Sequence, residues 1–294
     1  MGHVMFKRTE NHITDEDAKK TLPHSRKEVF FDLLKHRKMS LFALSSFVFM
    51  FFIPLVIDLL YFNYLENVAI VNEKYEYLFS LIFYSMLIMI PCMMIGFIGL
   101  VGAFHIAKKL VWQEGINMSV DFFSGIKDNW KHALVNGFIS GVLLFGLVVG
   151  SSALLIFIPD KAVLCGIGIG ALILLFLFIG MSIALFFPQD DYYQNRFIDT
   201  FKNSFRFLGL LNWKVLVIFL LSTGGLVALC AINMITMIVG FVLFAVLNGI
   251  VIVLYTLISH SAFDKYINAE HYPDMVGKGL YKVEKVDENE NKEA

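Results

Sequence analysis

Charge is what this sequence has least of. Asp, Glu, Lys and Arg make up 17% of its 294 residues, against about 25% in an average soluble domain. Apolar residues make up 57%, and the mean hydropathy is +0.69. A water-soluble globule of this length could not hide so much apolar surface, and a disordered chain has the opposite composition. Cysteine is also scarce. Cys92, Cys165 and Cys230 all lie in apolar runs, which argues against a disulfide framework. There is no basic domain or Arg-rich patch, so no nucleic-acid partner is expected. Catalytic signatures are missing as well: Gly-x-Ser-x-Gly, a Walker loop, Gly-x-Gly-x-x-Gly after a strand and His-Glu-x-x-His. His105, His132, His260 and His271 lack the His-x-x-x-His or His-x-Glu spacing of a zinc site. Neither enzymatic activity nor a cofactor is expected.

What is present is a series of long apolar runs. About 20 residues of helix cross a hydrocarbon core of roughly 30 Å. Six runs qualify: Met39 to Phe62, Leu78 to Phe104, His132 to Ile158, Ala162 to Phe187, Val215 to Asn233, and Met237 to Ser259. The last two come from one stretch without charge, divided by a tight turn at its most polar point, Asn233 to Thr236. The fold class is therefore all-α, a polytopic helical membrane protein. Lys and Arg set the orientation. With the N-terminus in the cytoplasm, 22 of the 24 cations fall on the inner side, leaving Lys74 and Lys161 outside. Both termini are expected in the cytoplasm, and the lipid bilayer is the first partner.

Three regions follow. Residues 1–28 form a charged cytoplasmic segment, 29–267 the six-span domain, and 268–294 a flexible, acidic cytoplasmic tail. No apolar core precedes the first run, so no signal peptide is expected. The outer loops are short, with no domain for a large ligand.

A pattern recurs before alternate spans. Phe30-Phe31-Asp32-Leu33-Leu34-Lys35, Phe122-Phe123-Ser124-Gly125-Ile126-Lys127 and Phe197-Ile198-Asp199-Thr200-Phe201-Lys202 share it. Two copies extend to Trp130-Lys131 and Phe205-Arg206. Offsets i, i+1, i+4 and i+8 share one helix face, and the cations lie off it. That pattern predicts an amphipathic helix in the cytoplasmic headgroup layer, rings toward the acyl chains. The implied unit, interfacial helix plus hairpin, is used three times about an axis along the membrane normal. Phe122, Phe123, Lys127, Trp130, Lys131, Phe201, Lys202, Phe205 and Arg206 then form a candidate platform for a soluble partner or anionic lipid. The plainer alternative is simple anchoring of the hairpin ends.

Few polar groups lie inside the spans. Asp58, the one acid there, is a candidate for cation or proton coupling, although its place near the outer boundary also lets it reach water. Asn136, Asn233 and Asn248 either bond across helices or line a path. Met86, Met89, Cys92, Met93 and Met94 suit Cu(I), but equally suit ordinary packing. Gly137, Gly141, Gly146 and Gly150 predict close helix approach. Pro54 and Pro91 predict bends. Asp190-Asp191, after Pro188, reads as a solvated turn.

The stretch Lys108 to Trp130, KKLVWQEGINMSVDFFSGIKDNW, resembles a segment of the YesL-like family of bacterial membrane proteins. Arg196 to Phe205 and Phe263-Asp264-Lys265-Tyr266-Ile267 are similar to further segments of that family. The likeness runs from about Val29 to Ile267, and the charged N-terminus and acidic tail depart from it. The resemblance implies a role beside carbohydrate uptake, with components of an ABC-type sugar transporter as partners. It assigns no functional residue. The expected function is thus a non-enzymatic accessory to carbohydrate uptake or another envelope process. A small-solute transporter or channel is the alternative, and an enzyme acting on lipid-linked substrates a third reading.

Overall fold

In hydrocarbon every backbone N–H and C=O must be satisfied within the protein, so long apolar runs fold as helices. The computed structural model describes residues 23–281 apart from Gln194. It contains α1 (Arg26–His36), α2 (Lys38–Val71), α3 (Leu78–Val111), α4 (Met118–Phe157) and α5 (Ala162–Tyr193). The chain continues through α6 (Phe197–Phe219), a π-helical turn (Leu220–Gly224), α7 (Gly225–Ile232) and α8 (Met234–Phe263). A second π turn (Asp264–Asn268) and two short helical turns (Ala269–His271 and Pro273–Met275) complete it. Six of these segments are long and apolar enough to cross a membrane: α2, α3, α4, α5, Trp213–Ile232 and Met234–His271. The protein is a multi-pass helical membrane protein.

Several helices outrun the bilayer. The 40 residues of α4 measure about 60 Å, twice the hydrocarbon thickness. An even number of crossings returns the chain to its starting side. There the Tyr281 N–H donates to the Pro23 carbonyl at 3.0 Å. We call this the terminal end, and the other the hairpin end.

Packing differs between the two ends. The main core runs from the terminal end to about the middle of α2 and α3. It joins Val29 and Leu33 of α1 with Ile106, Leu110, Phe122, Phe186, Phe207, Ile252 and Phe263, and reaches Phe52 and Phe97. Toward the hairpin end burial is sparser: Met86, Met89 and Val149 cluster against Leu55, Leu59 and Phe145, and Ala69, Cys165 and Met237 are also buried. Lipid tails are as apolar as leucine, so helices in lipid gain little from hiding side chains from one another. Phe157, Val163, Ile167, Ile232 and Ile235 accordingly stay exposed.

α3 is the central helix, touching α2, α4, α5 and α8. It lies closest to α4 because Gly137 and Gly141 have no side chain. A Cβ at Gly137 would sit 2.6 Å from Met94 Cα, and one at Gly141 2.9 Å from Ile90 Cα. Gly146 faces open space, so the glycine pattern marks an interface over only part of its length. Ser45 joins α2 to α8: its hydroxyl accepts from the Gly249 N–H at 2.7 Å and lies 3.0 Å from the Val246 carbonyl.

Three expectations change. The second and third amphipathic segments are not separate helices but the first turns of α4 and α6. Only α1 stands apart, ended at Arg37 before α2 begins. Asp190 and Asp191 do not form a solvated turn, because α5 continues through Pro188 to Tyr193 and buries both. The expected tail does not leave the bundle at residue 268: residues 268–281 pack on it. Residues 1–22 of the N-terminal segment and 282–294 of the tail lie outside the described residues. The division of the last two spans falls at Asn233, whose side chain accepts from the Thr236 N–H at 2.9 Å in a capping box.

Candidate functional site

The buried polar chemistry gathers at the terminal end. Consecutive helix residues point about 100° apart. Asp190 and Asp191 therefore address different neighbours. Asp190 Oδ1 lies 2.8 Å from His132 Nδ1 of α4. Asp191 Oδ1 lies 2.8 Å from His105 Nδ1 of α3, and its Oδ2 lies 2.8 Å from Lys108 Nζ. Lys108 Nζ also donates to the Asp191 carbonyl at 2.7 Å. The pair thus clamps the end of α5 to both α3 and α4. Asp190 is the less satisfied member: its Oδ2 is buried without a partner, as is Asn136 Oδ1 one turn from His132.

Two further ion pairs frame the cluster. Lys109 Nζ meets Asp121 at 2.6 Å, and Asp121 also accepts the Asn117 N–H at 2.8 Å at the start of α4. Arg26 of α1 meets Asp264 at 2.8 Å and donates to the Lys278 carbonyl at 2.8 Å. Here the two terminal segments fasten to each other. Lys278 Nζ stands 3.6 Å from the centre of the Trp112 ring. Gly279 follows at φ +83°, where a Cβ would fall 2.5 Å from the Val111 carbonyl oxygen. Tyr193 donates to Asn268 at 2.8 Å, and the Asn268 amide donates to Tyr192 at 2.9 Å. Beneath this clasp His260 is 1% exposed, ringed by Trp112, Tyr192 and Phe263, with neither nitrogen partnered. At the exposed start of α1, the His24 backbone N–H and then the Ser25 hydroxyl hold Glu28 below the usual carboxylate range.

The residues singled out in sequence are dispersed. Asp58 accepts from Ser85 at 3.2 Å, joining α2 to α3 away from the terminal-end cluster. The Asn136 amide donates to the His132 carbonyl of its own helix at 3.1 Å, and Asn233 serves as a cap. Asn248 is buried, with its amide nitrogen unpartnered. These groups are therefore not joined into one site. Met86 and Met89 pack against apolar side chains.

The platform residues also divide. Phe122 is fully buried, packed at 5.0 Å from Phe47 and 5.7 Å from Phe51, so it does not face lipid. Phe123 and Trp130 are exposed, as are Lys127 and Lys131. They continue the outward stripe of Val120, Phe138 and Val142 along α4. Phe201 and Phe205 are half-buried and pack with Phe186 and Phe178 of α5, while Lys202 and Arg206 point outward. A side chain in a capping or ion-pair role carries no spacing signature, so the cluster escaped the sequence reading. Its one legible sign was two adjacent acids beyond an apolar run, opposite histidines at other span ends.

Comparison with family models, with curated proteins and with solved structures finds no match for this chain.

Proposed function

We propose that this chain is a non-enzymatic accessory protein of the bacterial plasma membrane, whose terminal end faces the cytoplasm and serves a larger membrane system. The observation that carries the reading is the concentration of ordered structure at that end. Most of the main core, the buried ion pairs and the contact between Pro23 and Tyr281 lie there. Such a face, well packed and carried on helices longer than the bilayer is thick, suits docking better than passage. The resemblance to the YesL-like family points to carbohydrate uptake, with an ABC-type sugar transporter as the system served. The motif that recurs before α2 and within the first turns of α4 and α6 supports a threefold use of one hairpin.

A second reading, a small-solute transporter, is favoured by one observation: the Asp190–His132 pair with its unpartnered carboxylate oxygen. Acid–histidine pairs in membrane proteins are a means of moving protons. One pair of measurements separates the two. Crosslinking in native membranes followed by mild extraction should recover a transporter component, and vesicles holding the purified protein should show no solute flux. Flux that disappears in Asp190→Asn, with no partner recovered, would reverse the conclusion.

A further inference from the structure

One face of α6 carries Lys202, Arg206, Gly209 and Trp213. Their spacing of four, three and four residues aligns them in a single stripe. The opposite face holds Thr200, Ser204, Phe207 and Val215 in the protein interior. Beside the stripe, α5 and α6 form a groove of about 350 Å³ lined by Phe178, Met181, Leu208, Gly209, Trp213 and Leu216. Gly209 leaves it open, since nothing lies within 4 Å of where its Cβ would be. Phe178 and Trp213 are more than half exposed at its edges. One to three turns toward the start of α6 stand the exposed cations Arg206 and Lys202. Neither has an acidic partner among the described residues, and Arg206 makes only a 3.4 Å bond to Asn203. Cations turned toward the bundle are treated differently: Arg26, Lys108 and Lys109 each meet an aspartate.

We propose that this groove and its two cations bind an anionic phospholipid in the leaflet at the terminal end. One acyl chain lies in the apolar groove, and the headgroup phosphate meets Arg206 and Lys202. Arginine offers a phosphate two parallel donors, and lysine adds a point charge. Charge complementarity selects the anionic lipid over a zwitterionic one. The apolar groove selects a lipid over a free phosphate, which has no chain to fill it. The site stands independently of the accessory reading.

Trp213 provides the reporter. The full-length protein, with Trp112→Phe and Trp130→Phe so that one of its three tryptophans remains, is placed in phosphatidylcholine–phosphatidylglycerol vesicles. Either lipid in turn carries brominated chains, which quench a tryptophan they touch. Brominated phosphatidylglycerol should associate about tenfold more strongly than brominated phosphatidylcholine. Lys202→Gln with Arg206→Gln should bring that ratio close to one. Gly209→Leu, which fills the groove, should reduce quenching by both lipids. Equal quenching by the two lipids, a preference that survives the double Gln variant, or displacement by excess inorganic phosphate would each overturn the proposal. If the tryptophan replacements prevent folding, native mass spectrometry of the unaltered protein gives the same decision. Retained phosphatidylglycerol lost in the double Gln variant supports the site, and retention unchanged by it contradicts the site.

Discussion

Asp190 and Asp191 are adjacent in the chain but live in different electrostatic surroundings. Asp191 faces Lys108 and His105, all three largely buried, whereas Asp190 faces only His132, which reaches solvent. Removing one partner of a buried ion pair leaves the other charge stranded, at a cost of about 3 kcal/mol or more. Asp191→Asn should therefore lower thermal stability in detergent clearly. Asp190→Asn should cost less, about 1 kcal/mol, because His132 can turn to water. Equal melting temperatures for the two variants would show that the clamp on α3 is not what holds the end of α5. The sequence displayed the two acids and the two histidines but not their pairing. Helix periodicity says that neighbouring acids diverge, not which helix each will meet. Their burial depends on α5 running through Pro188, and proline ordinarily suggests a stop.

At the scale of elements, the spans were legible because a 20-residue apolar run has few alternatives in a bilayer. Their ends were less so. The amphipathic segments that open α4 and α6 look the same in sequence whether they lie in the interface or continue a spanning helix. The buried Phe122 ring decides for continuation in α4. Glycine spacing was similarly ambiguous: Gly137 and Gly146 share a helix and a residue type but not a neighbour. Gly137→Val should separate α4 from α3 and lower stability by about 2 kcal/mol, as overpacking at a close contact does. Gly146→Ala should leave stability unchanged or raise it by up to about 1 kcal/mol, through helix propensity. Denaturation of both variants in one detergent checks the contrast. The two π turns, Leu220–Gly224 and Asp264–Asn268, had no sequence signal at the resolution of hydropathy.

For the whole molecule, charge and packing point the same way. Of the 24 Lys and Arg, 22 lie in segments at one end by sequence, and the buried ion pairs and the Pro23–Tyr281 contact lie there too. Toward the opposite end the helices are more loosely packed, as lipid permits. What the sequence left open was that the terminal end is a folded body and not a fringe of loops. Its order comes from contacts between distant parts, Arg26 with Asp264 and Gly279 against Val111, which no local pattern announces. The proposed orientation puts that body on the cytoplasmic side of a six-span bundle. The most direct test is labelling of single cysteines by a membrane-impermeant maleimide on intact cells. The background for it replaces Cys92, Cys165 and Cys230 with serine. Lys74→Cys and Lys161→Cys should label from outside, while Lys127→Cys and Lys278→Cys should label only after the membrane is opened. Labelling of position 127 or 278 on intact cells, or protection of 74 and 161, would contradict the account.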